Sequence, residues 1–334
     1  MQKNNYEKSK LILAVSPHIK DKETTTRIMY VVIIALIPAL IGSIYFFGMR
    51  SLILVIIASV SAMLVEWLCK AVRRKPLTFD GSAILTGMLL AFNLPVQVPY
   101  WMPAVGSIFA ILVVKETFGG LGYNILNPAL AGRAFLMASW PSMITGRWSA
   151  PIRPIVSTIH GISATTSATP LGLLKLHPEF AQELNSCASI KHLLFGNIGG
   201  SLGETSAILL LVGAIVLFAM KYIDYRIPFS YIGTVFALTG ILHVFGVTPG
   251  TPLFHILAGG LFLGAFFMAT DYVTTPVTPK GHWIFGIGCG IITVIIRIWG
   301  GYPEGVCYSI LLMNAATPLI DRMTIPRRFG GMIK

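Results

Sequence analysis

The sequence predicts an all-α polytopic membrane protein: about ten transmembrane helices in two inverted five-helix repeats with broken helices. Three observations carry that prediction. Apolar residues make up 54% of the 334-residue chain and charged residues only 11%, against roughly 25% charged in a soluble domain. The apolar residues fall in long runs, and the mean hydropathy is +0.75. The runs are separated by Gly, Pro and basic residues, as short connections between spans would be.

Residues 1–28 are polar and charged and read as a cytoplasmic N-terminal segment. No cleavable signal peptide is expected, because the first apolar run, 29–47, is too long for a signal core. Further runs follow at 51–68, 82–94, 101–114, 126–140, 205–220, 228–246, 253–270, 283–299 and 304–318. The run 82–94 closes on Pro95 and Pro99 and reads as a broken helix. A bilayer tolerates such a break only where protein or a cavity satisfies the backbone. The organisation that follows is a first half over 29–140, a loop over 141–204, a second half over 205–318 and a basic cytoplasmic tail over 319–334.

Charge gives the spans a direction. The net charge is +12. With both termini cytoplasmic, most basic residues fall in inside segments, including Lys70, Arg73, Arg74, Lys75, Lys115, Lys221, Arg226 and Lys280. Arg50, Arg147, Arg153, Lys175 and Lys191 fall outside, and Arg133 and Arg297 lie within spans. This bias is the positive-inside pattern. It accounts for the basic charge without a nucleic-acid partner. It also places the loop 141–204 on the outer face, and long loops are disproportionately functional.

An internal echo supports two halves. Gly119-Gly120, Gly199-Gly200 and Gly300-Gly301 each precede an apolar run, and the segment from Asn127 to Arg133 is loosely echoed by Asn314 to Arg322. Five spans per half would give the halves opposite orientation, with a site near the midplane between them.

Candidate functional residues are few. Cys69, Cys187, Cys289 and Cys307 are far apart, so no metal site or redox dithiol is predicted. His243 and His255 lack a ligand partner at helical spacing. The hydroxyl-rich stretch Ser167-Ala168-Thr169-Pro170-Leu171 reads either as a Ser/Thr turn or as a hydroxyl acceptor for a covalent group. Asn124 and Asn127, three apart, are expected on one face of a helix start; they read as helix caps or as amides for a ligand with donor and acceptor edges. Glu66, Asp80, Glu204, Asp271 and Glu304 lie in or beside spans, where a charge costs on the order of 3 kcal/mol. Glu66 reads as reaching water, Asp80 as a cap. Glu204, Glu304 and Asp271 are ion-pathway candidates or further caps, with Thr274, Thr275 and Thr278 as oxygen donors beside Asp271. Trp101, Trp140 and Tyr302 read as an interfacial belt.

Taken in order, several motifs resemble one family. They are Ser16-Pro17-His18, the stretch Phe79 to Gly87, Gly119 to Phe135, Phe195 to Ser206, Ala269 to Gly281 and Tyr302-Pro303-Glu304-Gly305-Val306, followed by Asn314 to Arg322. The chain resembles the RnfD family, membrane components of the Rnf ion-translocating electron-transport complex. The family's relative is NqrB of the Na⁺-translocating NADH:quinone reductase. The resemblance implies a flavoprotein subunit of a ferredoxin:NAD⁺ oxidoreductase in a bacterial or archaeal cell membrane. Thr169 would carry FMN through a phosphoester, within a motif of Ser167, Ala168, Pro170 and Leu171. At Ser163 the chain departs from the family's usual Asp. The resemblance also implies a noncovalent riboflavin against Asn124 and Asn127. Implied partners are the other subunits (RnfA, RnfB, RnfC, RnfE and RnfG), a flavin transferase, and Na⁺ or H⁺. No catalytic side chain is expected beyond the cofactors, and no iron–sulfur framework or dinucleotide motif is present, so the chain is read as part of an enzyme rather than a whole one. The rival readings are a quinone-reductase subunit and, of another class, a passive channel or solute transporter.

Overall fold

A computed structural model describes residues 23–146, 148, 169–196, 198–204 and 206–325. Ser163, Ser167, Ala168 and the N-terminal motif at Ser16 lie outside the described residues.

Each predicted span holds a helix. In the first half these are α1 (Thr25–Phe47), α2 (Met49–Val72), α3 (Ser82–Phe92), α4 (Trp101–Phe109) and α5 (Pro128–Ser139). A π-helical segment, Ala110–Glu116, continues α4. Short helices follow: α6 (Pro141–Thr145), α7 (Pro170–Leu176), α8 (Ala181–Leu184) and α9 (Cys187–Phe195). The second half has α10 (Ala207–Ala219), α11 (Arg226–Val244), α12 (Pro252–Leu257), α13 (Leu261–Leu263), α14 (Pro279–Trp299) and α15 (Val306–Thr324). A second π segment, Gly264–Met268, continues α13. Four helices, α1, α2, α11 and α14, are long and apolar enough to cross a membrane, and α3 and α10 are shorter apolar helices. The chain is a polytopic membrane protein. Its lipid-facing surface is apolar where a soluble protein's would be charged, with Ile34, Ile41, Leu64, Ile215 and Phe229 exposed.

The sequence predicts one break, and the structure has two. The helix in the segment 82–94, α3, stops at Phe92 after 11 residues, too short to cross a bilayer, and a non-helical stretch follows that Arg50 holds by donating to the carbonyls of Val96 (2.8 Å) and Val98 (3.0 Å). The second break, not predicted, is within 253–270, between α12 and α13. Ala258 is extended, and Gly259 has φ +77°, a conformation that side chains rarely adopt.

Helix contacts repeat in the two halves. The second helix packs on the fourth, α2 on α4 and α11 on α14, and like elements meet across the centre, α1 against α10 and α5 against α15. The first residues of the echoed segments also meet. With its amide oriented to satisfy both groups, Asn314 accepts from the Asn127 N–H (3.1 Å) and donates to the Ile310 carbonyl (3.2 Å).

Close packing at the centre depends on Gly213 in α10. A Cβ there would stand 2.1 Å from the Ala35 carbonyl oxygen of α1. Gly213→Ala is therefore expected to destabilise the protein by about 1–3 kcal/mol through overpacking. Gly233→Ala, with nothing within 4 Å, is expected to leave it unchanged. Thermal unfolding of the two purified variants checks both.

Candidate functional site

The chain reverses at two ends, and each end holds a cavity. The Thr169 end gathers the residues after α3, the short helices α6–α9 and the connections before α12 and α15. The Asn124 end gathers the connections before α3, α5, α11 and α14.

At the Thr169 end a cavity of about 370 Å³ is lined by Thr169, Lys175, Trp148, Tyr302 and Tyr308, with Arg133 and Glu304 also in its wall. Thr169 is buried, and its Oγ1 accepts from the Gly172 N–H (3.2 Å), capping α7. Pro170 and Leu171 begin that helix and are buried. Lys175 ties α7 to the end of α14 by donating to the carbonyls of Arg297 (3.2 Å), Gly300 and Tyr302 (3.5 Å). Desolvation holds the Lys175 ammonium below the ordinary lysine pKa. Tyr302 and Tyr308 stack with ring centroids 5.2 Å apart.

Behind this cavity lies a buried charge network. Arg133 Nη2 pairs with Glu304 Oε2, and Arg133 Nη1 donates to Asn93 Oδ1 at 3.0 Å. Arg297 finds carbonyls instead of a carboxylate side chain: Nε donates to Glu304 O (2.9 Å), Nη2 to Ala258 O (3.2 Å) and Nη1 to His255 O. The carbonyls of His255 and Ala258 are released by the break between α12 and α13. Glu204 Oε2 accepts from the Ser201 N–H (3.2 Å). Glu204 Oε1, Glu304 Oε1, Arg133 Nε and Ser201 Oγ have no partner among the described residues. Neither glutamate caps the apolar helix that follows it: Ser206 caps α10 through the Leu209 N–H, and Gly305 precedes α15.

At the Asn124 end a small cavity of about 80 Å³ is lined by Asn124, Asn127, Lys115, Asp271 and Phe267, among others. Asn127 caps α5, its Oδ1 accepting from the N–H groups of Ala129 (3.0 Å) and Leu130 (3.3 Å). Asn124 lies in the loop before α5 rather than on the helix, yet it reaches the same cavity, donating to the Leu126 carbonyl (3.2 Å). Asp271 accepts from Thr274 Oγ1 (3.3 Å) and weakly from the Val273 N–H (3.5 Å). Thr275 Oγ1 donates to the Asp271 carbonyl. Thr278 is drawn away, capping α14 and bonding Thr324.

Two acidic residues behave differently from each other. Asp80 accepts from the N–H and hydroxyl of Ser82 at the start of α3, a structural bond made from one residue before the cap position, which Gly81 occupies. Glu66 does not reach water. It is 5% exposed and pairs with Lys70 (2.6 Å) and Lys115 (2.9 Å). Lys115 also donates to Ser82 Oγ at 2.6 Å. The sequence places Lys115 in an inside segment and gives Asn93 no role. Their only sequence signals are a Lys-Glu pair closing an apolar run and an Asn just before Leu94-Pro95.

The chain matches the NQR2, RnfD, RnfE family over residues 12–330. It belongs to that family. Among curated relatives, it is 46% identical over 335 residues to the D subunit of the proton-translocating ferredoxin:NAD(+) oxidoreductase complex of Clostridium ljungdahlii, covering 99% of each chain. It is 49% identical over 324 residues to the D subunit of the Na(+)-translocating ferredoxin:NAD(+) oxidoreductase complex of Acetobacterium woodii, covering 96% of this chain and 95% of the relative. The D subunit of the ion-translocating oxidoreductase complex of Stutzerimonas stutzeri is 38% identical over 331 residues, covering 92% of this chain and 93% of the relative. The motifs that carried the resemblance thus belong to a likeness that spans the chain.

The buried pair makes a direct prediction for this family member. Arg133→Met leaves Glu304 buried without its counter-charge and is expected to cost about 3–5 kcal/mol. Arg133→Met combined with Glu304→Leu removes both charges and is expected to recover most of that loss. Thermal unfolding of the single and double variants measures the difference.

Proposed function

We propose that this chain is the D subunit of an ion-translocating ferredoxin:NAD⁺ oxidoreductase, carrying covalent FMN on Thr169 and a noncovalent riboflavin at Asn124 and Asn127. The carrying observation is that Thr169 borders a cavity of about 370 Å³, within the range of roughly 300–1,000 Å³ that small-molecule sites span. The residues fit that group. Lys175 and Arg133 offer positive charge for a phosphoester, and Tyr302 and Tyr308 offer aromatic faces for a ring. After esterification the bridging oxygen of Thr169 still accepts from the Gly172 N–H, so α7 keeps its cap.

At the other end, Asn124 and Asn127 offer amide donors and acceptors beside the apolar wall of Phe266 and Phe267. The flavins supply the electron transfer; the chain sets their position, charge environment and exclusion from water. The positive-inside bias favours the Thr169 end as the outer face and both termini as cytoplasmic. Glu204, Glu304 and Asp271 are the carboxylates this reading places along the path of Na⁺ or H⁺. NAD⁺ and ferredoxin would be handled by partner subunits RnfA, RnfB, RnfC, RnfE and RnfG, and a transferase would attach the FMN. Full-length likeness to the D subunits of two ferredoxin:NAD(+) oxidoreductase complexes favours this reading over a quinone-reductase subunit.

Two experiments test it. Flavin fluorescence on a denaturing gel should persist on the wild-type band, produced beside its transferase, and vanish in Thr169→Ala. A dark wild-type band refutes covalent FMN. Asn124→Leu should release the noncovalent flavin while leaving the covalent one attached, as quantified by acid extraction of the purified complex. Unchanged noncovalent flavin removes Asn124 from the site.

A further inference from the structure

The two cavities lie at opposite ends of the bundle, yet a line of bonded side chains joins them. Arg133, in the wall of the Thr169-end cavity, pairs with Glu304 on one side and donates to Asn93 Oδ1 (3.0 Å) on the other. Asn93 Nδ2 donates to the Leu89 carbonyl (2.7 Å) and contacts Met268 Sδ at 3.5 Å. The Met268 carbonyl accepts from Asn127 Nδ2 at 3.2 Å. Asn127 lies in the wall of the other cavity. All five residues, Glu304, Arg133, Asn93, Met268 and Asn127, are buried.

Neither amide is free to turn. The oxygen of Asn127 is held by two backbone N–H groups of α5, which aims its nitrogen at Met268. The oxygen of Asn93 is held by the guanidinium of Arg133. Met268 closes the π segment Gly264–Met268, where Ala269 N–H bonds back to the Gly264 carbonyl at 2.7 Å, a five-residue span. A π turn differs from an α turn by one residue of register, and such turns concentrate at functional sites. Converting one to the other would move the Met268 carbonyl and thioether together, and with them both links. The far end has room to change as well, because Glu304 Oε1 and Arg133 Nε lack partners among the described residues.

We propose that the two cavities are coupled through this one path, Glu304–Arg133–Asn93–Met268–Asn127, with the π turn Gly264–Met268 as its two-state element. A change of charge or occupancy beside Glu304 shifts the guanidinium of Arg133, which shifts Asn93, the π turn and the Asn127 amide. Asn93 and Met268 are positioning residues in this scheme and touch neither cavity's contents. The coupling holds whatever fills the cavities, so it stands apart from the flavin assignment.

Hydrogen–deuterium exchange of the purified complex tests it, read on peptides covering 261–272 in wild type, Glu304→Gln, Met268→Leu and the double variant. Met268→Leu conserves volume and removes only the sulfur link. Glu304→Gln is expected to change exchange in 261–272 by about threefold or more, and that effect should disappear in the Met268→Leu background. No change in 261–272 overturns the proposal. So does a Glu304→Gln effect that persists in full beside Met268→Leu, or one of equal size in 49–72, which reports general loosening. If Glu304→Gln does not assemble, Glu304→Asp, which withdraws the carboxylate by one methylene, is read against the same outcomes.

Discussion

Two guanidinium groups, those of Arg133 and Arg297, are buried in a bundle whose outer surface is apolar. In a bilayer such groups must be satisfied by the protein, because no water is at hand to do it. Arg297 is satisfied by backbone. Its three carbonyl partners include two, His255 and Ala258, that α12 leaves unpaired by ending where it does. The break and the arginine therefore require each other. A continuous helix through 258–260 would leave Arg297 short of acceptors, and an apolar residue at 297 would leave buried carbonyls without donors. Arg133 is held by side chains, Glu304 and Asn93, through its two Nη groups, and so fixes how α5 sits against α3 and the start of α15.

The same demand organises the Asn124 end. Lys115 is buried at the close of the first π segment and is neutralised by Glu66, which Lys70 also holds. The second π segment delivers Phe266 and Phe267 to the same cavity wall. Both π segments thus border one cavity, which agrees with the tendency of π turns to mark places where function asks for a departure from the α register. The space they border is faced by the Lys115 ammonium, the Asp271 carboxylate and the amides of Asn124 and Asn127, set against an apolar wall.

Much of this was legible in the sequence. Every apolar run became a helix, because hydropathy in runs of that length has few other solutions in a membrane. The Asn127 cap was visible in its place before Pro128. The break before Pro95 was visible too, but the one after Leu257 was not, because Ala258-Gly259-Gly260 is weaker punctuation than Pro95 and Pro99. The pairing of Glu66 is hidden for a related reason. Its neighbours in sequence suggested a helix end near water, whereas the lysine that buries it comes from residue 115 in another helix. Pairings at that separation leave no local trace. The joining of Glu304 to Arg133, 171 positions apart, belongs to the same class.

A polar path across a membrane protein carries an obvious risk. Any continuous file of water between the two cavities would let ions cross without work being done. The packing around the path argues against such a file: Leu90, Leu130, Leu136 and Met102 are fully buried around α3 and α5. The links themselves are made by protein groups bonded to one another, a guanidinium, two amides, a thioether and the Met268 carbonyl. Such a path can carry the effect of a charge without carrying the charge. For a subunit whose proposed work is to tie electron transfer to ion movement, that distinction decides between coupling and a leak.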